Sequence, residues 1–214
     1  MIRLAIDASA SPDDPAVTEA VRILRDGGII AFPTETFYGL GVNARNAAAV
    51  DRIFRIKGRD FANPIALICA DSADVTPLVQ EVPATAQRLM EVFWPGPLTI
   101  LFPAATTVLP RLTACTGKIG IRVSSHPVAR ILASGLNSPL TATSANRSGE
   151  PECTTEKEVT QALGNTVDAI ITGPQTPGGH SSTVLDMTVS TPAVLREGAI
   201  PRAEILAVLG IVSS

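Results

Sequence analysis

Apolar and polar positions along the chain alternate between short apolar runs and helical repeats. Residues 28–32 form a compact apolar run, which predicts a buried strand. The chain then breaks into a polar loop, Pro33-Thr34-Glu35-Thr36, carrying hydroxyls and one carboxylate. After Gly39 and Gly41, Asn46 stands where a helix cap is needed, and Ala47, Val50, Ile53, Phe54 and Ile56 follow near helical spacing. That helix stops at Lys57-Gly58-Arg59, where glycine ends the turn between two cations. Strand, hydroxyl loop, helix and paired cations together predict half of a pocket for an anionic ligand.

The rest of the chain continues in the same manner. Asp14 and Pro15 open a helix through Leu24, closed by Gly27-Gly28. Strands are predicted over residues 65–70, 98–102, 119–123, 140–143, 169–171, 183–187 and 194–196. Helices are predicted over 83–93, 127–133, 155–163 and 201–209, with a turn-rich loop over 173–179. Strands and helices interleave, but the proline- and glycine-rich joints are irregular. This predicts one α/β domain with a mixed sheet rather than a regular doubly wound one. No internal repeat or low-complexity tract is visible.

Composition narrows the class. With 214 residues, 45% hydrophobic and 17% charged, the chain can bury a sizeable core. Its start lacks an apolar signal region, interrupted early by Asp7, and no apolar run approaches the roughly 18 residues of a membrane span. Cys69, Cys115 and Cys153 lie far apart without a C-x-x-C pair, which argues against a disulfide framework or zinc site and for a reducing cytoplasm. Between Arg45 and Arg59 five cations oppose only Asp51, a net +4 in a chain that sums to −3, so the remainder carries −7. A local positive field in an acidic protein suggests a specific anionic ligand, a nucleotide or an RNA backbone; the plainer alternative is a solvated helix face.

Several chemistries fall away. Gly39 to Ala44 matches the dinucleotide pattern on paper, but a polar loop separates it from the strand, so no tight strand-to-helix turn forms. There is no Walker loop and no G-x-S-x-G elbow. His126, just before Pro127, reads as a helix-start residue rather than a catalytic base. A second hydroxyl-rich stretch, Thr141-Ala142-Thr143-Ser144-Ala145-Asn146-Arg147-Ser148-Gly149, can hold phosphate or ribose oxygens, or form an elaborate turn. A third joins Ser181-Ser182-Thr183 with Leu195-Arg196-Glu197-Gly198.

In series, PTETFYGLG, the Lys57-x-Arg59 pair, FWPGPLT, IRVSSHP, TSANRSG and STVLD…LREG resemble the YrdC family of threonylcarbamoyl-AMP synthases. The resemblance spans about Ala16 to Ile200 in the family's order. It implies a YrdC-like single domain over 1–214 in which a twisted mixed sheet flanked by helices surrounds a large basic cavity. It also implies a reaction in which L-threonine, bicarbonate and ATP give threonylcarbamoyl-AMP and pyrophosphate. The product would pass to threonylcarbamoyl-transferase proteins that modify tRNA adenosine. Magnesium is expected with the ATP phosphates, without a dedicated protein site.

The resemblance assigns catalysis to Lys57, Arg59, Ser144 and Asn146. Arg59, Asn63, Lys118, Ser144, Glu152 and Arg196 would line the ATP side, Glu152 through backbone atoms. Thr36, Arg122, Ala142 and Ser182 would take L-threonine, the planar fork of Arg122 suiting a carboxylate. Two positions depart from many members: Asp60 replaces proline beside Arg59, and Ile68 replaces a histidine that contacts the amino acid. Two other functions compete. One is a non-enzymatic module binding tRNA, double-stranded RNA or the ribosome through the same basic hollow. The other is a carbamoyl-transfer enzyme, whose relatives usually carry additional domains.

Overall fold

The computed structural model describes residues 1–211; residues 212–214 of the expected domain lie outside them. Among the described residues, ten strands form one mixed sheet. In chain order they are β1 (Ile2–Ala5), β2 (Ile30–Phe32), β3 (Gly39–Gly41), β4 (Ala66–Cys69), β5 (Leu98–Pro103), β6 (Lys118–Val123), β7 (Leu140–Ser144), β8 (Ala169–Thr172), β9 (Thr183–Asp186) and β10 (Ala193–Arg196). Their spatial order is β1-β8-β2-β3-β7-β4-β6-β5-β9-β10. Four pairs are parallel (β1 with β8, β2 with β8, β4 with β6, β5 with β9) and the other five are antiparallel.

Six α-helices flank it: α1 (Pro15–Arg25), α2 (Ala47–Lys57), α3 (Ala84–Phe93), α4 (Pro127–Leu136), α5 (Glu156–Leu163) and α6 (Arg202–Leu209). Their ends follow local chemistry. Asp14 caps α1, accepting from Ala16 N with Pro15 in the first turn, and Asn46 caps α2 by accepting from Ala49 N at 3.1 Å. Gly58 ends α2 in the left-handed conformation. Thr155 and Glu158 close a reciprocal capping box on α5. His126 does begin α4, its Nδ1 accepting from Val128 N, and burial lowers its pKa, which keeps that nitrogen free to accept.

Four features differ from expectation. The edge strand β1 and a 3₁₀ turn over Ser72–Leu78 carry little periodicity. Gly39 and Gly41, which fall in none of the predicted strands, form β3 between β2 and β7. The Phe32 ring lies across them, and a Cβ on Gly41 would stand 2.6 Å from it. Glycine is what permits this pairing, so Gly41→Val should destabilise the fold by about 1–3 kcal/mol in urea unfolding. Helix α4 also runs past Ala133, because Gly135 packs against Val21 of α1, where a Cβ would come within 2.8 Å of the valine methyl.

Side-chain alternation in the strands positions the site. Leu67 and Cys69, Ile119 and Ile121, Leu98 and Ile100, and Leu185 enter the larger apolar core. Their neighbours Ala66 and Ile68, Gly120 and Arg122, Thr99 and Leu101, and Val184 face the other way, into a cavity. Helices α1 and α4 cover that second face elsewhere, packing a smaller core over β1, β8 and β2.

Candidate active site: a cavity on the open sheet face

The cavity measures about 340 Å³. Small residues, Ala66, Gly120 and Ala142, set its floor, and a Cβ on Gly120 would meet Leu101, Thr99 and Ala66 at 3.1–3.2 Å. Its charged lining residues are Arg59, Arg122, Arg196 and Glu152.

Of the residues expected at the site, Thr36, Arg59, Arg122, Ala142, Ser144, Glu152, Ser182 and Arg196 line this one hollow. They come from separate loops and strands, gathered by the pairing of β7, β4, β6, β5, β9 and β10. Lys57 and Asn146 lie beneath it, buried. The Lys57 ammonium donates to the backbone carbonyls of Ser144 and Asn146, the latter at 2.6 Å, and stands 3.3 Å from Asn146 Oδ1. Asn146 Nδ2 in turn donates to the carbonyl of Glu150. Burial, followed by the nearby Arg59, brings the Lys57 pKa down to about 8. Lys57 therefore holds the 144–146 turn from below.

Asn63 and Lys118 are not among the lining residues. Asn63 is exposed, and its carbonyl accepts from Arg59 Nε at 3.3 Å, while Pro64 O accepts from Arg59 Nη2 at 2.9 Å. Lys118 pairs with Asp186 at 2.9 Å. The Asp60 carboxylate turns into its own loop, accepting from Ala62 N at 2.9 Å. Ile68 is buried in the cavity wall beside Arg122, its partner across β4 and β6.

The hydroxyls are linked rather than loose. Thr34 and Thr36 hydroxyls stand 3.1 Å apart, and Thr34 donates to Phe37 O. The Ser182 hydroxyl lies 2.9 Å from that of Thr99 and accepts from Arg196 Nη2 at 3.2 Å. Arg196 also donates twice to Ser182 O, at 3.1 and 2.9 Å, tying the guanidinium to the strand that carries the hydroxyl. Burial lowers the pKa of both Arg59 and Arg196, and Arg122 adds to the effect at Arg196.

Sequence reasoning overlooked Thr99, Ser124 and the partner of Glu35. Thr99 carries a legible signal, since it shares strand parity with Leu101 on the cavity face. Glu35 pairs with Arg122 at 3.1 Å and accepts the Ser124 hydroxyl, contacts between segments remote in sequence.

The +4 stretch does not act as one field. Arg52 donates to Gly27 O and pairs with Asp168 at 3.0 Å, Arg45 and Arg55 are exposed, and Arg59 alone among these cations lines the cavity. Among the described residues no three His, Cys, Asp or Glu side chains gather as a metal site. No helix there is long and apolar enough to cross a membrane.

Fold and site define a mixed α/β protein whose polar cavity is lined by arginines and hydroxyls on one sheet face. The profile of the Sua5/YciO/YrdC family, described as telomere recombination, matches residues 22–198, and the chain belongs to that family. It is 40% identical over 201 residues to the threonylcarbamoyl-AMP synthase of Bacillus subtilis, covering 94% of this chain and 58% of that protein. It is 38% identical to the Vibrio cholerae serotype O1 protein of the same name, covering 84% and 96% respectively. The crystal structure of Pyrococcus abyssi Sua5 complexed with L-threonine superposes with a TM-score of 0.94 at 35% identity, over 99% of this chain and 62% of that one. The chain thus spans under two thirds of the B. subtilis and P. abyssi relatives.

Proposed function

We propose that this chain joins L-threonine, bicarbonate and ATP into threonylcarbamoyl-AMP, releasing pyrophosphate. One observation carries the proposal: the four residues expected to take an amino acid and four of the six expected to take a nucleotide, Arg59, Ser144, Glu152 and Arg196, open onto one cavity, with Arg122 and Arg196 as their cationic centres. The relatives' names and the threonine-bound P. abyssi structure support the same substrates.

Threonine's neutral amine adds to carbon dioxide from bicarbonate, giving a carbamate and a proton. A carbamate oxygen then attacks the α-phosphorus, and the bond to the β-phosphate oxygen breaks as pyrophosphate leaves. No covalent protein nucleophile is needed. The protein's task is to bring two anions together and offset their repulsion. Arg122 takes the threonine carboxylate through its fork. Thr36 and Ser182, the latter steadied by Thr99 and Arg196, bond the threonine hydroxyl or amine, and Ala142 contributes backbone. Arg59, Arg196 and Ser144 face the phosphates. Of the carboxylates only Glu152 is among the lining residues, so magnesium would arrive with the triphosphate, held by phosphate oxygens and water with at most that side chain, and would screen phosphate charge. The product is an activated carbamoyl donor, suited to a transferase acting on tRNA adenosine. The cations of residues 45–59, which suggested a nucleotide or an RNA backbone, diverge in space, and only Arg59 among them lines the cavity.

An amino-acid panel tests this function. Serine lacks only the methyl and should lose about 10- to 200-fold in kcat/KM. Valine, which leaves hydroxyl partners unpaired, should lose more. Equal turnover of valine and threonine would contradict the assigned pocket.

A further inference from the structure

Arg122 and Glu35 form the most deeply buried ion pair of the site, their side chains only 8% and 11% exposed. Such a pair is costly to bury unless each charge is well bonded, yet this one is incompletely bonded. Arg122 Nη1 lies 3.1 Å from Glu35 Oε1, but no N–H is directed at that oxygen, which has no hydrogen-bond partner. The other carboxylate oxygen takes the Ser124 hydroxyl instead. Ser124 is fully buried and held in turn by His126 N, which donates to its Oγ at 3.2 Å. The carboxylate is thus anchored by Ser124, close enough to balance the guanidinium yet turned so that it does not use the arginine's donors. Arg122 lines the cavity, and Glu35 is not among the lining residues.

We propose that Glu35 is the positioning residue that makes this cavity select amino-acid zwitterions, by neutralising Arg122 while leaving its N–H donors to the ligand. The inference rests on the amino-acid reading of the Arg122 subsite and deepens it. A ligand carrying only a carboxylate places a second anion on a guanidinium already paired, so that Glu35 and the ligand together outweigh Arg122 by one negative charge beside the apolar Ile68. A ligand that also carries an ammonium group adds no net charge. Selectivity between the two arises from repulsion built in against the wrong ligand. The same arrangement explains why a buried carboxylate oxygen is left without a hydrogen bond.

The test is isothermal titration of the full chain with L-threonine and with (R)-3-hydroxybutyrate, the same skeleton without the amine. The wild type should prefer threonine by at least about tenfold. In Glu35→Gln that preference should fall by about tenfold, chiefly because hydroxybutyrate binds more tightly. A merely structural role for Glu35 would weaken both ligands alike, and an unchanged ratio overturns the proposal. Glu35→Asp, which keeps the charge, should retain the preference. Should Glu35→Gln fail to fold, Ser124→Ala provides the comparison: the freed carboxylate turns both oxygens onto Arg122, and threonine affinity falls at least about fivefold. Unchanged affinity there overturns the proposal too. A wild type that binds ATP but not threonine overturns the amino-acid reading itself, and this inference with it. A wild type that binds threonine without preferring it to hydroxybutyrate overturns the inference alone.

Discussion

Lys57→Met is expected to lower kcat/KM by on the order of 100-fold or more, although the side chain does not line the cavity. Removing the ammonium leaves the carbonyls of Ser144 and Asn146 without their buried donor and releases the Asn146 amide oxygen. Hydrogen bonds to a charged donor contribute about 1.5–3 kcal/mol each. Part of that is offset by relief of a desolvated charge, so a net loss of about 3 kcal/mol in urea unfolding is expected. Lys57→Arg should not restore activity, because a planar fork does not fit three acceptors arranged around a point charge.

The same ammonium gives a pH signature with two opposite slopes. Its pKa is 10.5 when unperturbed and about 8 in the fold. Between those values the folded chain binds fewer protons than the unfolded one, so the contribution of Lys57 to stability rises with pH across that window. Below about pH 8 both states are protonated and the cost of burying the charge is fully present. Activity should move the other way, declining above about pH 8 as the neutral amine, with two N–H groups for three acceptors, loosens the 144–146 turn. Wild type minus Lys57→Met, in denaturation and in kcat against pH, isolates both slopes.

Arg122→Met should be nearly as damaging, with a different kinetic signature. Threonine loses its charge-assisted fork, so its KM should rise about 100-fold while the KM for ATP moves by less than about threefold. Glu35 would then be buried without a counter-charge, at a cost of about 3–5 kcal/mol. Adding Glu35→Gln to Arg122→Met should recover most of that stability and none of the threonine turnover. Recovery of turnover in the double variant would contradict the carboxylate role of Arg122.

Elements with strong periodicity or clear caps, such as α1, α2 and α5, were legible in the sequence because their determinants are local. The strand β3 was not, since its glycines answer to the Phe32 ring, a neighbour set by strand pairing. The helix predicted over 127–133 fell short of α4 for a similar reason, since the small size of Gly135 serves the contact with Val21. At the site, the motif residues were visible as residue types, and the sheet brings eight of them to one hollow. Their individual placements were less visible. Nothing local shows that Lys57 lies under the 144–146 turn, or that Glu35 reaches Arg122. For the +4 stretch the plainer alternative, a solvated face, describes Arg45 and Arg55, because charge summed along the chain says nothing about which way each side chain leaves it. Arg52 and Arg59 depart toward different partners.

If one cavity activates a threonine-derived carbamate on the α-phosphorus of ATP, isotope exchange between ATP and pyrophosphate should require threonine and bicarbonate together and disappear when either is withheld. Exchange sustained by threonine in bicarbonate-free buffer would mean that the amino acid's own carboxylate is adenylylated, and no carbamate would then lie on the path.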